Sequence, residues 1–126
     1  MDKDEVYALT EYRLREEMTP LLGWERIFMG DIPTVWWRTA EGRNHDGPPP
    51  ANWETVGTIV EALQKEGYTN IKLNFVFDKY YASVVCNFGP CEKHKTTVHN
   101  WHGVTDIEGD TAFIAVARAA LMAGSD

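Results

Sequence analysis

Hydrophobic residues at helical spacing open the chain. Apolar side chains recur every three or four positions over the first 22 residues, with charged residues between them, and the pattern ends at Gly23. We expect one amphipathic helix here, with Pro20 tightening its last turn. Two short β-prone runs follow at residues 24–29 and 34–38, and the turn-forming residues between them predict a hairpin.

A loop and a second helix follow the predicted hairpin. Residues 40–51 contain two glycines and three consecutive prolines, so they are not expected to sustain a helix or a strand ladder. Asn52 is a favourable N-cap for the next helix, whose apolar positions share one face until Gly67 ends it.

The hydrophobic period changes to two after Asn70, which is typical of a strand with one buried face. Asp78 and Lys79 supply a turn at the end of this strand. Further strands are predicted at residues 80–88 and 95–101. Together these segments predict a three-stranded antiparallel meander.

A last helix is predicted through Ala123, after an acidic loop at residues 103–109, with Asp110 or Thr111 as its N-cap. Its residues are almost wholly apolar, so it must be covered on more than one side. A chain of 126 residues offers few elements for that purpose. We therefore expect other subunits to help cover it.

Length and composition predict a single globular domain. The chain has 126 residues, of which 44% are hydrophobic and 25% charged. We predict an α/β fold of the α+β kind, with an antiparallel β-sheet of about five strands packed between helices. Residues 1–126 are expected to form one αβα-sandwich-like domain.

Charge and hydropathy restrict the partners and the compartment. The formal net charge of −7 would repel a phosphate backbone, so duplex nucleic acid is not an expected partner. No apolar run approaches the roughly 20 residues of a membrane span, and the acidic N-terminus differs from a signal peptide. We expect a cytosolic protein, in which a reducing environment favours free thiols at Cys86 and Cys91 over a bridge.

The order of these elements resembles the small phage αβα-sandwich proteins. The residues that carry the resemblance are Leu22-Gly23-Trp24, Asn52-Trp53-Glu54-Thr55-Val56 with Leu63 and Gly67-Tyr68, and Thr111-Ala112 with Ala115-Val116-Ala117-Arg118-Ala119-Ala120-Leu121. The pair Trp36-Trp37 and residues 86–101 are not part of this pattern. The resemblance covers most of the chain and implies the fold predicted above.

Proteins of this general shape include phage anti-defence sponges, such as the Thoeris inhibitors that bind cyclic ADP-ribose-type signals without cleaving them. The likeness implies a phage-encoded homo-oligomer in the cytosol of a bacterial host. Its pockets would lie between subunits and sequester a cyclic nucleotide or a related messenger. The likeness supplies no ligand motif, so candidate binding residues must be sought in the chain itself.

Arg118 is the first candidate ligand-binding residue, because it is the only charged side chain between Thr111 and Ala123. A guanidinium surrounded by apolar helix is suited to a bidentate grip on phosphate. The alternative is that Arg118 faces water or pairs with an acidic residue such as Asp106.

A second candidate is a segment that combines aromatic, amide and imidazole side chains. Such a mixture can stack on a base and form hydrogen bonds with its edge. The alternative is that one face of the segment packs into the core and the other is solvated. The candidates are Asn87, Phe88, His99, Asn100, Trp101 and His102.

Tryptophans form a third group of candidates, since Trp24, Trp36, Trp37 and Trp53 are many indoles for so small a domain. Packing in the core or at a subunit interface is one interpretation. The other is a ligand cage near Arg38 and Arg43.

Metal binding is an alternative use of the same region, because cysteine thiolates and imidazoles are zinc ligands. The spacing of these residues matches no known finger. Asp106, Glu108 and Asp110 alternate as hard-cation ligands would, but they lack the pattern of a calcium loop and more simply form a solvated segment. The zinc candidates are Cys86, Cys91, His94, His99 and His102.

Catalysis is not expected. Ser83 and Ser125 belong to no nucleophile motif, and the chain has no phosphate loop or dinucleotide fingerprint. A pair such as Cys86 with His99 lacks an assigned third group to orient it. We predict a non-catalytic binding protein without a cofactor or metal. The alternatives are a phage accessory or structural protein acting through protein–protein contacts and a zinc-dependent enzyme.

Overall fold

The computed structural model describes residues 2–28, 35–86 and 102–124. Within these ranges it contains five helices and six strands. The helices are α1 (Lys3–Tyr7), α2 (Glu11–Glu17), α3 (Thr19–Leu22), α4 (Trp53–Lys65) and α5 (Ala112–Gly124). The strands are β1 (Glu25–Phe28), β2 (Val35–Arg38), β3 (Asn44–His45), β4 (Asn70–Val76), β5 (Lys79–Cys86) and β6 (His102–Gly109).

The N-terminal segment is three short helices, so the prediction of one continuous helix was wrong. Thr10 starts a new helix because its hydroxyl accepts a hydrogen bond from the amide of Arg13 (3.2 Å). Pro20 lies in the first turn of α3, the position that proline tolerates. Gly23 ends α3 as predicted, in a left-handed conformation with φ of 75°.

The predicted hairpin is confirmed, and it gains a third strand. Glu25 of β1 lies opposite Arg38 of β2 in an antiparallel register. β3 then pairs with β2 and places His45 opposite Trp37. This strand lies inside the predicted loop. The glycines and prolines of that segment led to the prediction that it contains no strand. Its two residues are fixed by pairing with β2, which local composition does not reveal.

The helix predicted after Asn52 is confirmed. The Asn52 side chain accepts a hydrogen bond from the amide of Thr55 (2.9 Å), and Gly67 follows the helix with φ of 106°. Val56, Ile59 and Leu63 form the buried face of α4. Spacing at 3.6 residues therefore identified the helix and most of its inner side, but Trp53, which was assigned to the same face, is 63% exposed.

The first two strands of the predicted meander are confirmed as β4 and β5, and they belong to a sheet of order β4-β5-β6 whose boundaries differ from those predicted. Its first turn is at Phe77 and Asp78, one residue earlier than expected. The third strand is β6, so the prediction of a loop at residues 103–109 was wrong. The predicted strand at residues 95–101 lies outside the described residues. Few apolar side chains mark β6, which forms because its backbone pairs with β5.

Helix α5 is the centre of the core. Thr111 caps it, accepting a hydrogen bond from the amide of Ile114 (3.2 Å). One side packs on β5 and β6, and other sides meet α4, α2 and α1. Phe113 and Ala117 are among its fully buried residues. The chain thus covers this helix itself, and α5 gives no support for an oligomer.

These elements confirm the predicted α+β class, with the strands divided between two antiparallel three-stranded sheets. No helix in the described part of the chain is long and apolar enough to cross a membrane.

Candidate functional site

A pocket of about 340 Å³ lies between the β1–β3 sheet and the first turns of α4. Its size is at the lower end of the range for small-molecule sites, roughly 300–1,000 Å³. Aromatic, cationic, carboxylate and hydroxyl side chains all contribute to its wall. The lining residues are Leu22, Trp24, Thr39, Glu41, Arg43, His45, Pro49, Pro50, Asn52, Glu54, Thr55 and Thr58.

Two aromatic rings stack in this pocket. The centroids of Trp24 and His45 are 5.4 Å apart and their planes differ by 24°. Trp24 follows the left-handed Gly23, which turns the chain from α3 into the hairpin. His45 is brought to it by the pairing of β3 with β2. The half-buried indole thus offers an oriented flat surface to a planar ligand group.

Arg43 is the arginine that lines the pocket. Its amide donates to the hydroxyl of Thr39 (3.0 Å), and its carbonyl accepts from the amide of Thr39 (2.8 Å). Gly42 completes this tight loop with φ of 88°, which favours glycine. The backbone of Arg43 is therefore held in place while its side chain remains exposed. An exposed guanidinium on an anchored backbone is well placed to bind an anion.

Carboxylates balance the cation. Glu41 and Glu54 line the same pocket, so its field is mixed and not simply basic. Glu54 lies in the first turn of α4, where a carboxylate also complements the helix dipole. The arrangement suits a ligand that presents both an anionic group and hydrogen-bond donors.

The proline-rich wall is anchored from another helix. Arg15 of α2 donates its Nε–H to the carbonyl of Pro49 (2.9 Å) and an Nη–H to that of Pro48 (3.1 Å). Pro48 and Pro49 are buried. The pocket therefore has one rigid wall whose position depends on residues distant in sequence.

The predicted site residues occupy different regions. Arg43 lines the pocket, whereas Arg38 is exposed on β2 and does not contribute to the lining. The backbone of His102 begins β6 opposite Cys86. The other candidates of that segment lie outside the described residues: Asn87, Phe88, His99, Asn100 and Trp101.

Arg118 is engaged inside the fold. Its Nη1 donates to the carbonyl of Glu108 (2.9 Å), and its guanidinium lies over the ring of Tyr7, 4.4 Å from the centroid. Its buried Nε has no hydrogen-bond partner among the described residues. Arg118 lines neither the pocket described above nor a smaller one of about 70 Å³ between the starts of α4 and α5. These contacts assign it a structural role, and a role in phosphate binding stays a prediction.

The tryptophans are divided between both interpretations. Trp37 is 4% exposed and packs under Arg26, whose guanidinium is 5.7 Å from the ring centroid. Trp24 lines the pocket, and Trp53 is exposed beside Tyr80. A cage near Arg43 thus involves Trp24 alone among the described tryptophans.

Sequence reasoning missed His45, Glu41 and Glu54 as pocket residues. Glu41 and His45 are polar residues of the predicted loop, and Glu54 lies at the start of the predicted second helix, so none belongs to a ligand-binding motif. Only the pairing of β3 with β2 and the approach of α4 bring them together. A lone histidine between a charged segment and a proline run was the sole available signal.

Metal ligands are not assembled in the described residues, where no three His, Cys, Asp or Glu side chains are placed to hold an ion. Cys86 is buried at the end of β5. Cys91, His94 and His99 lie outside the described ranges.

Comparisons with models of known protein families, with curated proteins and with solved structures found no match to this chain. The chemistry of the pocket must therefore be inferred from its own residues.

Proposed function

We propose that this protein is a phage-encoded, non-catalytic binding protein that sequesters a nucleotide-derived immune signal, such as a cyclic nucleotide or a cyclic ADP-ribose-type molecule. The observation that carries the proposal is the stacked pair Trp24 and His45 beside Arg43 in one pocket of about 340 Å³. The resemblance to anti-defence sponges suggests the biological role.

The three parts of a nucleotide have matching groups in this pocket. The indole of Trp24 offers a stacking surface for a base, a contact worth roughly 1–3 kcal/mol in single-strand binding proteins. Arg43 and the positive end of α4 favour phosphate. Glu41 and Glu54 can accept hydrogen bonds from ribose hydroxyls, as a carboxylate does in dinucleotide sites. The mixed charge of the pocket thus fits a nucleotide better than a bare anion.

The hydrogen bonds of two threonine hydroxyls in the pocket favour sequestration without cleavage. The hydroxyl of Thr58 donates to the carbonyl of Glu54 (3.0 Å), and that of Thr39 accepts from the amide of Arg43 (3.0 Å). Neither of these two hydrogen bonds is to a side-chain base that would activate the hydroxyl as a nucleophile. These contacts support binding without cleavage.

Titration calorimetry with cyclic ADP-ribose and with 3′,5′-cyclic mononucleotides tests the proposal. We expect at least one to bind, and Arg43→Ala to weaken that binding about tenfold or more, since it removes a charged hydrogen-bond donor. Arg38→Ala is the matched control and should bind as the wild type does. Bound ligand should be recovered intact by chromatography.

Three results would count against the proposal. They are no binding by any of these probes, equal losses in the Arg43 and Arg38 variants, and recovery of a cleaved product. The last would indicate a hydrolase.

Arg118 and residues 87–102 remain the alternative site for the same ligand. Arg118→Lys distinguishes the two locations because it keeps the charge and loses the planar fork. A tenfold loss of affinity in this variant, with Arg43→Ala unaffected, would move the site from the pocket to α5.

A second candidate function is that of a phage accessory or structural protein acting through protein–protein contacts. It is favoured by the exposure of large apolar side chains at Trp53 (63%), Phe75 (61%) and Phe77 (94%). Under this alternative no nucleotide would bind, and substitution of these aromatic residues would abolish association with the partner.

A further inference from the structure

Three aromatic side chains form a contiguous cluster: Phe75 of β4, Tyr80 of β5 and Trp53, the first residue of α4. Phe75 and Tyr80 are opposite each other across the strands, with ring centroids 4.9 Å apart. Trp53 meets Tyr80 edge-on at 6.0 Å. Phe75 and Trp53 nevertheless remain mostly exposed. Exposed apolar residues are ordinary when scattered, whereas a contiguous group of this size marks an interaction surface.

Phe77 is a further exposed aromatic residue, at the tip of the same hairpin. It has a left-handed backbone, with φ of 49°, and is followed by Asp78 with φ of 66°. Such a two-residue turn favours Asn-Gly, and a bulky residue with positive φ is unusual. Phe77 is also 94% exposed, so folding of one chain gains almost nothing from its ring. A costly conformation that presents an aromatic side chain to solvent points to a binding role.

β4 is an edge strand in the described part of the sheet, because it pairs there with β5 alone. Its residues contain no proline and a single charge, Lys72, so it has few of the features that normally protect an edge. Ile71 and Leu73 on the core side are only partly buried. An open edge of this kind is a template for another strand.

We propose that β4 pairs with β4 of a second copy of this chain, in an antiparallel register centred on Leu73. The two meanders would join into one six-stranded sheet across a two-fold axis. When β4 pairs with β4 of a second copy, the unpaired backbone groups of both strands are hydrogen-bonded and the assembly closes as a dimer. Pairing of β4 with a different edge of the second copy would leave one edge free on each chain and would continue into a filament.

The register centred on Leu73 is compatible with the charges and apolar groups of the strand. It places Lys72 opposite Asn74 of the partner, so no like charges are directly opposite each other. It also places Phe75 opposite Ile71 of the partner, on the face that continues the core. Phe77 would then reach beyond the strand end, beside Thr69 of the second copy. Phe75 and Phe77, two of the apolar residues left exposed in one chain, would lie along this proposed contact.

The expected dimer is weak. Burying a Phe or Trp removes roughly 150–250 Å² each, so the exposed parts of the cluster supply a few hundred Å² per chain. A standard interface buries about 800 Å² per partner. We therefore expect a dissociation constant in the micromolar range and a concentration-dependent monomer–dimer equilibrium in sedimentation velocity.

Disulfide trapping tests the register directly. Two Leu73→Cys residues would be directly opposite, with Cα atoms about 4.5–5.5 Å apart, within the range of a disulfide. Two Asn70→Cys residues would be separated by about 20 Å along the strands and serve as the matched control. Each variant keeps the native cysteines, and the wild type gives the background.

We expect a reducible covalent dimer for Leu73→Cys on mild oxidation and only background cross-linking for Asn70→Cys. Phe77→Asn should weaken the untrapped dimer about tenfold, since an exposed aromatic residue is removed without harm to the turn. Equal trapping of both cysteine variants, or a wild type that stays monomeric across a hundredfold concentration range with no trapping at Leu73→Cys, would overturn the proposal. Arg43→Ala should dimerise normally, which separates this test from that of ligand binding.

Discussion

Arg118 and Tyr7 tie the last helix to the first: the guanidinium carbon is 4.4 Å from the centroid of the phenol ring. Both side chains also hold Glu108 of β6. The Tyr7 hydroxyl accepts from the amide of Glu108 (3.2 Å), and Arg118 donates to its carbonyl (2.9 Å). Glu108 of β6 is thereby connected to both α1 and α5.

Loss of the Arg118 guanidinium should destabilise the fold. Arg118→Met keeps most of the side-chain volume but removes the hydrogen bond to the Glu108 carbonyl and the contact with Tyr7. We expect a loss of about 1–3 kcal/mol in the free energy of unfolding, measured by urea denaturation. Arg38→Met, at an exposed position, should change it by less than about 0.5 kcal/mol.

A double-mutant cycle isolates the contact between the two side chains. Tyr7→Leu combined with Arg118→Met should show a coupling free energy of about 0.5–2 kcal/mol. Strict additivity would show that the two side chains stabilise the fold independently of each other.

The N-cap of α4 is a second point of expected sensitivity. Asn52→Ala removes the acceptor for the amide of Thr55 and should cost about 1 kcal/mol of unfolding free energy. Asn52→Asp supplies the same acceptor and should leave stability close to that of the wild type. Thermal denaturation of the three proteins at equal concentration measures the difference. Equal melting temperatures for all three would contradict the assigned cap.

Substitution by alanine should lower the stability of the fold at Gly103 and raise it at Gly57. A Cβ at Gly103 would collide with the carbonyl oxygen of Val84, and the backbone φ of 134° is also unfavourable for other residues. We expect Gly103→Ala to cost more than about 2 kcal/mol in urea denaturation. Gly57 lies in the middle of α4 with open space around it, so Gly57→Ala should stabilise by about 0.5–1 kcal/mol. Losses of similar size in both variants would contradict this assignment.

The hairpin tip should become more stable when its aromatic residue is removed. Phe77 has a left-handed backbone conformation, which Asn adopts at a lower energetic cost. The Phe77→Asn substitution loses almost no buried apolar surface, because Phe77 is 94% exposed. We expect a gain of about 0.5–1 kcal/mol, measured by urea denaturation at a concentration where the protein is monomeric. A loss of stability there would show that Phe77 already packs within its own chain.

Local signals in the sequence predicted the elements whose residues decide their own conformation. Asn52 before an apolar stripe located α4, and the change of period after Asn70 located β4 and β5. By contrast, Thr10 interrupts the first helix although the apolar pattern continues through it. A capping side chain accepts a hydrogen bond from a single amide. The hydrophobic periodicity of a longer segment does not reveal such a local helix start.

The candidate site was less predictable from sequence. Arg43 was identified as part of a possible cage, but the expected companion Arg38 is on β2 away from the pocket. His45 enters the site because β3 pairs with β2, and this pairing links residues separated by a loop. Side chains that share a pocket without a shared motif leave no pattern along the chain.

The sequence by itself determined the α+β class, the two hairpin regions and the apolar identity of α5, because periodicity and capping are properties of neighbouring residues. Only the tertiary structure decided that α5 is covered within one chain and that Arg118 holds Glu108 beside Tyr7. It also decided that residues 103–109 form a strand. Each of these features depends on contacts between residues that are distant in sequence. Periodicity and capping signals describe only neighbouring residues, so they do not predict such contacts.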